Sequence, residues 1–296
     1  MVYDICAIAH ITKDVNTTPA GIRTMPGGAG YYFSKSLHHL GSHALLVTKF
    51  SPRDDLLKGE LNDLNTLIYQ SEQSHFFENI YEDYTDNRQQ KAHSLADPFN
   101  AEDIREIQAR YFHLSPLAPN DIPIEIFKEL STRSKISLDV QGYTRKIIHG
   151  IVSNSIWDQL PEALRMVHIL KVSESESAII TGETNPIKAV IALSDYGIPE
   201  VILTRGQKGS LIYFENEHHE VPAYQPQALV DPTGCGDTYM AGYLHQRSQG
   251  KGIIEAGKFG AAMATLKIEQ FGAFSGEFRG IQALVDNYGT NRPGDH

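Results

Sequence analysis

Short apolar runs alternate with segments of helical period along most of this chain, and that alternation restricts the fold more than any other feature. After Ala101 the order reads helix 101–109, strand "YFHLS", helix 121–132, strand "KISLDV", helix 155–163 and strand "VHILKV". It continues with helices 174–180 and 185–195, the strand "EVILT" and a hairpin in "GSLIYFENEHHEVPA". Strands separated by helices must cross over to rejoin a sheet, which makes neighbours parallel and covers both sheet faces. Two helices, 236–248 and 252–268, close the pattern. Upstream, Val2 to Ala9 reads as a buried strand, Gly30 to Leu40 as a helix stopped at Gly41, and Leu45 to Val47 as the next strand. The polar, β-branched "HITKDVNTTPAGIRTM" and residues 65–93 suit a small exposed sheet rather than the core. The expectation is one domain over 1–290, with a β flap from about 11–26 and 66–93, and a polar tail at 291–296.

The bulk properties narrow the partners. A chain of 296 residues is long enough for one large α/β core. A formal net charge of −10 argues against a nucleic-acid partner, because phosphate backbones select basic surfaces. The two cysteines, Cys6 and Cys235, are too few for a disulfide framework, which suits the cytoplasm. "MVYDICAIAHI" has no basic leader, and no apolar run approaches the roughly 20 residues that span a bilayer.

The densest chemistry lies in "DPTGCGDTYMAG", residues 231–242. Gly234, Cys235 and Gly236 are small enough for successive backbone N–H groups to face outward, and a helix begins directly behind them. Unpaired donors and the positive end of the helix dipole then act together on an anion, for which phosphate is the natural guest. Asp237, in the first turn, stays ionised in that field and is suited to take a proton from an alcohol. Taken alone, the bend is equally served by a turn with a capping aspartate.

"DPTGCGD" closely resembles the C-terminal motif of the ribokinase-like (PfkB) carbohydrate kinases, with Cys235 where that family usually has alanine. The resemblance implies that Asp237 is the catalytic base and that Gly234, Cys235 and Gly236 form the anion hole. Other stretches fall in the family's order. "PGGAGYYFSKSLHHLG" resembles its N-terminal motif, in which Gly27 and Gly28 let the backbone approach the substrate. "VILTRGQKGSLIY" resembles the nucleotide side, with Thr204, Gly206 and Gly209 near ATP, and Asp14 matches an aspartate that grips sugar hydroxyls. In "KVSESESAIITG", Glu176 matches the glutamate on the Mg²⁺ side, while Ser173 stands where the family has asparagine; by residue type alone the same segment is a helix cap with solvated acids. Gln141 and Arg145 follow a core strand in "SLDVQGYTR", beside Asp139, and are candidates for substrate or phosphate contact.

The resemblance therefore implies a ribokinase-like, three-layer α/β/α fold with a mostly parallel central sheet. It implies an enzyme, a carbohydrate kinase, that moves the γ-phosphoryl group of MgATP to a hydroxyl of a sugar, sugar acid or cyclitol. A monovalent cation at the hole, and a monomer or a homodimer, are left open. Some of the sequence leans toward a divergent subgroup near the inositol-pathway sugar kinases. One rival is a nucleoside kinase with an aromatic wall from Tyr31, Tyr32, Phe76 and Phe77; the other is a catalytically inactive sugar or nucleotide sensor. The thirteen histidines show no ligand spacing of a zinc site. "GGAG" fails as a dinucleotide fingerprint, because Phe33 takes the third glycine position and no apolar strand precedes it.

Overall fold

The computed structural model describes residues 1–18, 21–81 and 88–287. Its first elements are β1 (Val2–Ile8), β2 (Thr12–Thr18), β3 (Gly21–Gly27), α1 (Gly28–His39), β4 (Ala44–Phe50) and α2 (Asp55–Glu60). Next come β5 (Thr66–Gln70), β6 (His75–Tyr81), β7 (Arg88–Ser94), β8 (Gln108–Leu114), α3 (Ile124–Ser131) and β9 (Lys135–Asp139). They are followed by β10 (Arg145–Ile148), β11 (Ile151–Asn154), α4 (Leu160–Leu164), β12 (Ile169–Ser173), α5 (Glu174–Thr181), α6 (Pro186–Ser194) and β13 (Glu200–Thr204). The chain ends with β14 (Ser210–Phe214), β15 (Glu217–Val221), α7 (Cys235–Ser248), α8 (Ile253–Ile268) and α9 (Phe278–Asn287).

The main sheet runs β15-β14-β13-β12-β9-β8-β1-β4-β5. From β13 to β5 every pairing is parallel, and β14 and β15 add an antiparallel edge. Successive side chains of a strand point to opposite faces, so apolar runs serve two cores at once. Cys6, Ile8, Leu170, Val172, Val201 and Leu203 pack against α3, α4 and α6 through Phe127, Leu164 and Val190. Ile5, Ala7, Ile169 and Ile202 face the other way, toward Phe33 of α1, Met240 of α7 and Met263 of α8. The result is the three-layer α/β/α arrangement with helices on both sides of a mostly parallel sheet.

A second sheet, β10-β11-β7-β6-β2-β3, lies beside the first. Its inner face carries Phe77 of β6 and Ala92 of β7, which cluster with Leu117 of the loop after β8 and Ala29 of α1. Its membership differs from the sequence expectation in two ways. Residues 66–70, expected in the flap, form β5 and pair with β4 on the edge of the main sheet. The hairpin β10–β11 was not anticipated at all; it joins the second sheet where Ile151 pairs with Lys91 of β7. Residues 19–20 and 82–87 of the expected flap, and the tail at 291–296, lie outside the described residues.

Three helical boundaries also shift. Residues 101–104 form one 3-10 turn, closed by an Asn100–Asp103 capping box, and β8 already begins at Gln108. Pro123 delays the helix expected from 121 until Ile124. The helix expected over 155–163 is confined to 160–164, because Ser155 and Trp157 still donate their N–H groups to Thr144 O (3.0 Å) and Tyr143 O (2.8 Å) across from them. Helix α9 was missed; it buries Ile281 against the α8 side of the core.

Candidate active site

A cleft of about 720 Å³ lies between the carboxyl ends of the main-sheet strands and the inner face of the second sheet. Open α/β sheets bind ligands at that edge. Its floor is the entry to α7. Gly234 is the N-cap residue, in a left-handed conformation (φ 79°), and Cys235, Gly236 and Asp237 form the first turn with no side-chain cap. A Cβ at Gly234 would sit 2.2 Å from Cγ of Tyr32, so only glycine fits there in both conformation and space. The Cys235 N–H donates to Pro232 O (3.2 Å) and is thereby tied into the turn. The N–H groups of Gly234 and Gly236 find no acceptor among the described residues. Asp237 is half-buried and lines the cleft.

The loop before this turn is held from below. Asp231 Oδ1 accepts from Thr233 N (3.0 Å), and Oδ2 accepts from Gly272 N (3.3 Å) and from Lys267 Nζ (2.9 Å). Tyr32 lines the cleft beside it, with a buried hydroxyl that has no hydrogen-bond partner among the described residues. Burial first, and then the nearby Asp231, Asp14 and Asp237 carboxylates, hold this phenol well above its usual range.

On the second-sheet side, Asp14 projects from β2, buried, with Oδ1 accepting from Thr12 Oγ1 (2.6 Å). Gly27 lies across the β2–β3 ladder from Thr12; a Cβ there would come within 2.4 Å of Asp14 Oδ2. Gly27 is thus a backing for Asp14 and not part of the cleft wall, whereas Gly28 (φ 81°) does line it. Phe77, Leu117 and Val152 give this end an apolar side, and Gln90 and Asn154 a polar one. Of the proposed aromatic wall only Tyr32 and Phe77 line the cleft. Tyr31 points to Glu60 (3.2 Å), and Phe76 stacks on His93 (4.6 Å).

A buried ion pair links the two ends. Lys171 of β12 donates to Asp139 Oδ2 of β9 (2.8 Å), and both line the cleft. Burial by itself would push the Lys171 ammonium down, but Asp139, Glu176 and Asp237 around it outweigh that and hold it raised. Asp139 Oδ1 also accepts from Gln141 N (3.2 Å), which fixes the turn leading to Arg145; Gln141 and Arg145 both line the cleft. Glu176 has two attachments. It closes a capping box with Ser173, Oε2 accepting from Ser173 N (2.8 Å), and it also lines the cleft. The helix-cap reading of "SESES" is thus met by the capping box, and the same carboxylate faces the cleft.

At the far end, Thr204 closes β13, with Oγ1 donating to Val172 O (3.4 Å), and Gly206 and Gly209 flank the following turn. Gly209 (φ 82°) has Val221 O only 2.1 Å from where a Cβ would lie. Opposite them, Pro226, Leu229, Ala261, Ala264 and Ile268 make an apolar shelf of mostly small residues. Of the residues that the sequence assigned to catalysis, nucleotide, substrate or metal, Gly27 alone is outside the cleft lining; of the aromatic wall, Tyr31 and Phe76 are outside it too.

The sequence reading passed over Lys171, Thr12 and Lys267. Lys171 had a visible signal: a charge in the middle of the apolar strand run "HILKVS" is tolerated only with a partner. The histidines do form one cluster, His10, His75 and Asp121, all buried. His75 Nδ1 accepts from Ala96 N (2.8 Å), so its proton is on Nε2, directed at Asp121 (3.2 Å). That is a hydrogen-bonded core pair, and it removes one of the three metal donors.

An α/β sheet with a helix N-terminus, a carboxylate and two flanking subsites in a single cleft is the architecture of a small-molecule kinase. The model of the pfkB family carbohydrate kinases matches residues 1–277, and the chain belongs to that family. It is a kinase of the sugar and nucleoside class. A cytidine kinase of Thermococcus kodakarensis is 29% identical over 92% of this chain and 98% of its own length. A pyrophosphate-dependent kinase of the ribokinase family superposes with a TM-score of 0.85 at 24% identity, over 95% of this chain and 99% of that one. The ribokinase of Arabidopsis thaliana, solved with ribose and ATP, gives a TM-score of 0.72 at 19% identity, over 96% and 99%. No described helix is long and apolar enough to cross a membrane.

Proposed function

We propose that this chain transfers the γ-phosphoryl group of MgATP to a hydroxyl of a ring polyol, a sugar, sugar acid or cyclitol, with Asp237 as general base. The observation that carries the reading is one cleft lined by Gly234, Gly236 and Asp237 together with Asp14 of the second sheet and with Thr204, Gly206 and Gly209 after β13. In this reading Asp14, oriented by Thr12, grips acceptor hydroxyls, since a carboxylate accepts two hydrogen bonds. Asp237 takes the proton of the attacking hydroxyl. The Gly234 and Gly236 amides, with Cys235 between them, stabilise charge on the phosphoryl oxygens, and Lys171, Arg145 and Gln141 add donors at the same point. The second sheet serves as the lid that excludes competing water.

The donor is read from the far end. The apolar side chains of Pro226, Leu229, Ala261 and Ala264 in the cleft lining suit an adenine ring. Pyrophosphate would have nothing to place there. Glu176, a carboxylate that lines the cleft within the field of Lys171, would be the protein anchor of a hydrated Mg²⁺. Held there through Glu176, Mg²⁺ would supply neutralisation of the negative charge on the donor phosphates.

A second reading is favoured by the apolar side at Phe77, Leu117 and Val152 next to Asp14, together with the full-length likeness to a cytidine kinase. In that case ribose presents the hydroxyl and the base packs on Phe77. The test is ADP release from MgATP with a panel of sugars, inositols and nucleosides, run beside Asp237→Asn. Turnover with one acceptor class, lost in the variant while ATP still binds, is expected. Full turnover by Asp237→Asn, or ligand binding without ADP from any acceptor, would overturn the reading.

A further inference from the structure

Lys267, near the end of α8, is completely buried, yet it does not face a substrate subsite. Its Nζ donates to the main-chain O of Asp231 (2.8 Å) and to Asp231 Oδ2 (2.9 Å). It also lies 5.5 Å from the centre of the Tyr32 ring, the ring on which Gly234 packs. The main-chain N–H groups of Val230 and Asp231 both donate to Ile268 O (2.9 and 3.1 Å), so the loop is bound to the residue next to Lys267. One ammonium thus touches the start of the phosphate loop directly and its glycine hinge through Tyr32.

A carbonyl oxygen and a carboxylate oxygen converging within 3 Å of one point form a hard-oxygen donor set suited to a monovalent cation. Here the point is filled by a covalently attached charge. We propose that Lys267 is a positioning residue that acts as the built-in cation of the anion hole, so that phosphoryl transfer by this chain requires no dissociable monovalent cation. The inference rests on reading residues 234–236 as that hole. Two physical effects follow. The ammonium cancels the Asp231 carboxylate, which would otherwise add a negative charge beneath an incoming phosphate. It also holds the loop permanently, with no binding equilibrium to satisfy and little screening by salt, because the pair is buried.

The experiment is steady-state kinetics of the full chain with MgATP and its acceptor, in a tetramethylammonium buffer, with K⁺, Na⁺ or NH₄⁺ added. Wild-type kcat is expected to change less than about twofold; activation by K⁺ or NH₄⁺ of tenfold or more would overturn the proposal. Lys267→Ala removes the charge and leaves space, and its kcat should fall at least tenfold and be partly restored by NH₄⁺ or K⁺, with acceptor KM nearly constant. A melting temperature that recovers with NH₄⁺ while kcat does not would assign Lys267 a merely structural role and would also overturn it. Should Lys267→Ala not fold, Lys267→Met with Asp231→Asn removes both charges, and the wild-type cation series decides independently. If Asp237→Asn keeps full turnover, the functional reading itself fails; if that variant is dead and the wild type needs K⁺, only the Lys267 proposal fails.

Discussion

Replacing Lys171 by methionine tests how the cleft is held together. The Lys171–Asp139 pair is 2.8 Å long, with both side chains less than a tenth exposed. Removing the ammonium leaves a carboxylate buried without its partner, which costs about 3–5 kcal/mol, a large share of the roughly 5–15 kcal/mol that keeps a domain folded. For a chain of this size about 2 °C of melting temperature goes with each kcal/mol, so Lys171→Met should melt roughly 6–10 °C below wild type. Adding Asp139→Leu removes the stranded charge, and because buried ion pairs are often matched by apolar packing, the double variant should regain more than half of that loss. Activity should behave differently. Both variants lack the cleft ammonium that the proposed reading sets against the phosphoryl group, so kcat should stay depressed by roughly 10²-fold in each. Calorimetry or circular dichroism melts beside an ADP-release assay separate the two effects. A Lys171→Met melt within about 2 °C of wild type, or a double variant less stable than the single, would refute the argument.

Asp14→Ala should raise acceptor KM much more than ATP KM, since Asp14 reaches the second-sheet end of the cleft only; equal rises would place it elsewhere. Gly234→Ala forces a left-handed alanine, about 1–2 kcal/mol, against the Tyr32 ring, so both kcat and melting temperature should drop, and unchanged kinetics would contradict the role of that turn. A thiol reagent should modify Cys235 and inhibit, with Cys235→Ala active and resistant, because Cys6 is fully buried and burial pushes its thiol up; mass spectrometry showing alkylation of Cys6 alone would overturn this. Burial, aided at His10 by His75, pushes His10 down to about 3, and burial pushes His113 to about 4. Between the ordinary histidine range and those values the unfolded chain binds protons that the native one does not, so each site should lower stability by about 1.4 kcal/mol per pH unit as pH falls from about 6.5. Melts from pH 7 to 4.5 should show the decline, reduced in His113→Gln; a flat profile would refute it.

The parallel sheet was legible because crossover helices leave a periodic trace, and the glycine-rich entry to α7 because three small residues directly precede an apolar helical run. The second sheet was only half legible. In residues 66–70 the run "TLIYQ" is polar enough to pass for flap, yet an edge strand is itself half solvated, as its exposed Leu67 and Ile68 show. The hairpin at 145–154 lacked a strong turn dipeptide, since its reversal uses His149 and Gly150 at positive φ. Lys171 and Lys267 were overlooked because their partners, Asp139 and Asp231, are 32 and 36 residues away in sequence. Long-range ion pairs leave no periodic mark. Only the cost of burying each charge alone could have pointed to them.

The smaller sheet is assembled from three separate loops of the chain, β2–β3, β6–β7 and β10–β11, each leaving the main body and returning to it. Tethered at six crossings, such a plate can swing but cannot peel away or slide in register. Asp14, Phe77 and Arg145 come from different loops, so in the proposed closure of this sheet all three would move toward residues 234–237 together, and the contacts made to an acceptor would be transmitted as one mechanical movement.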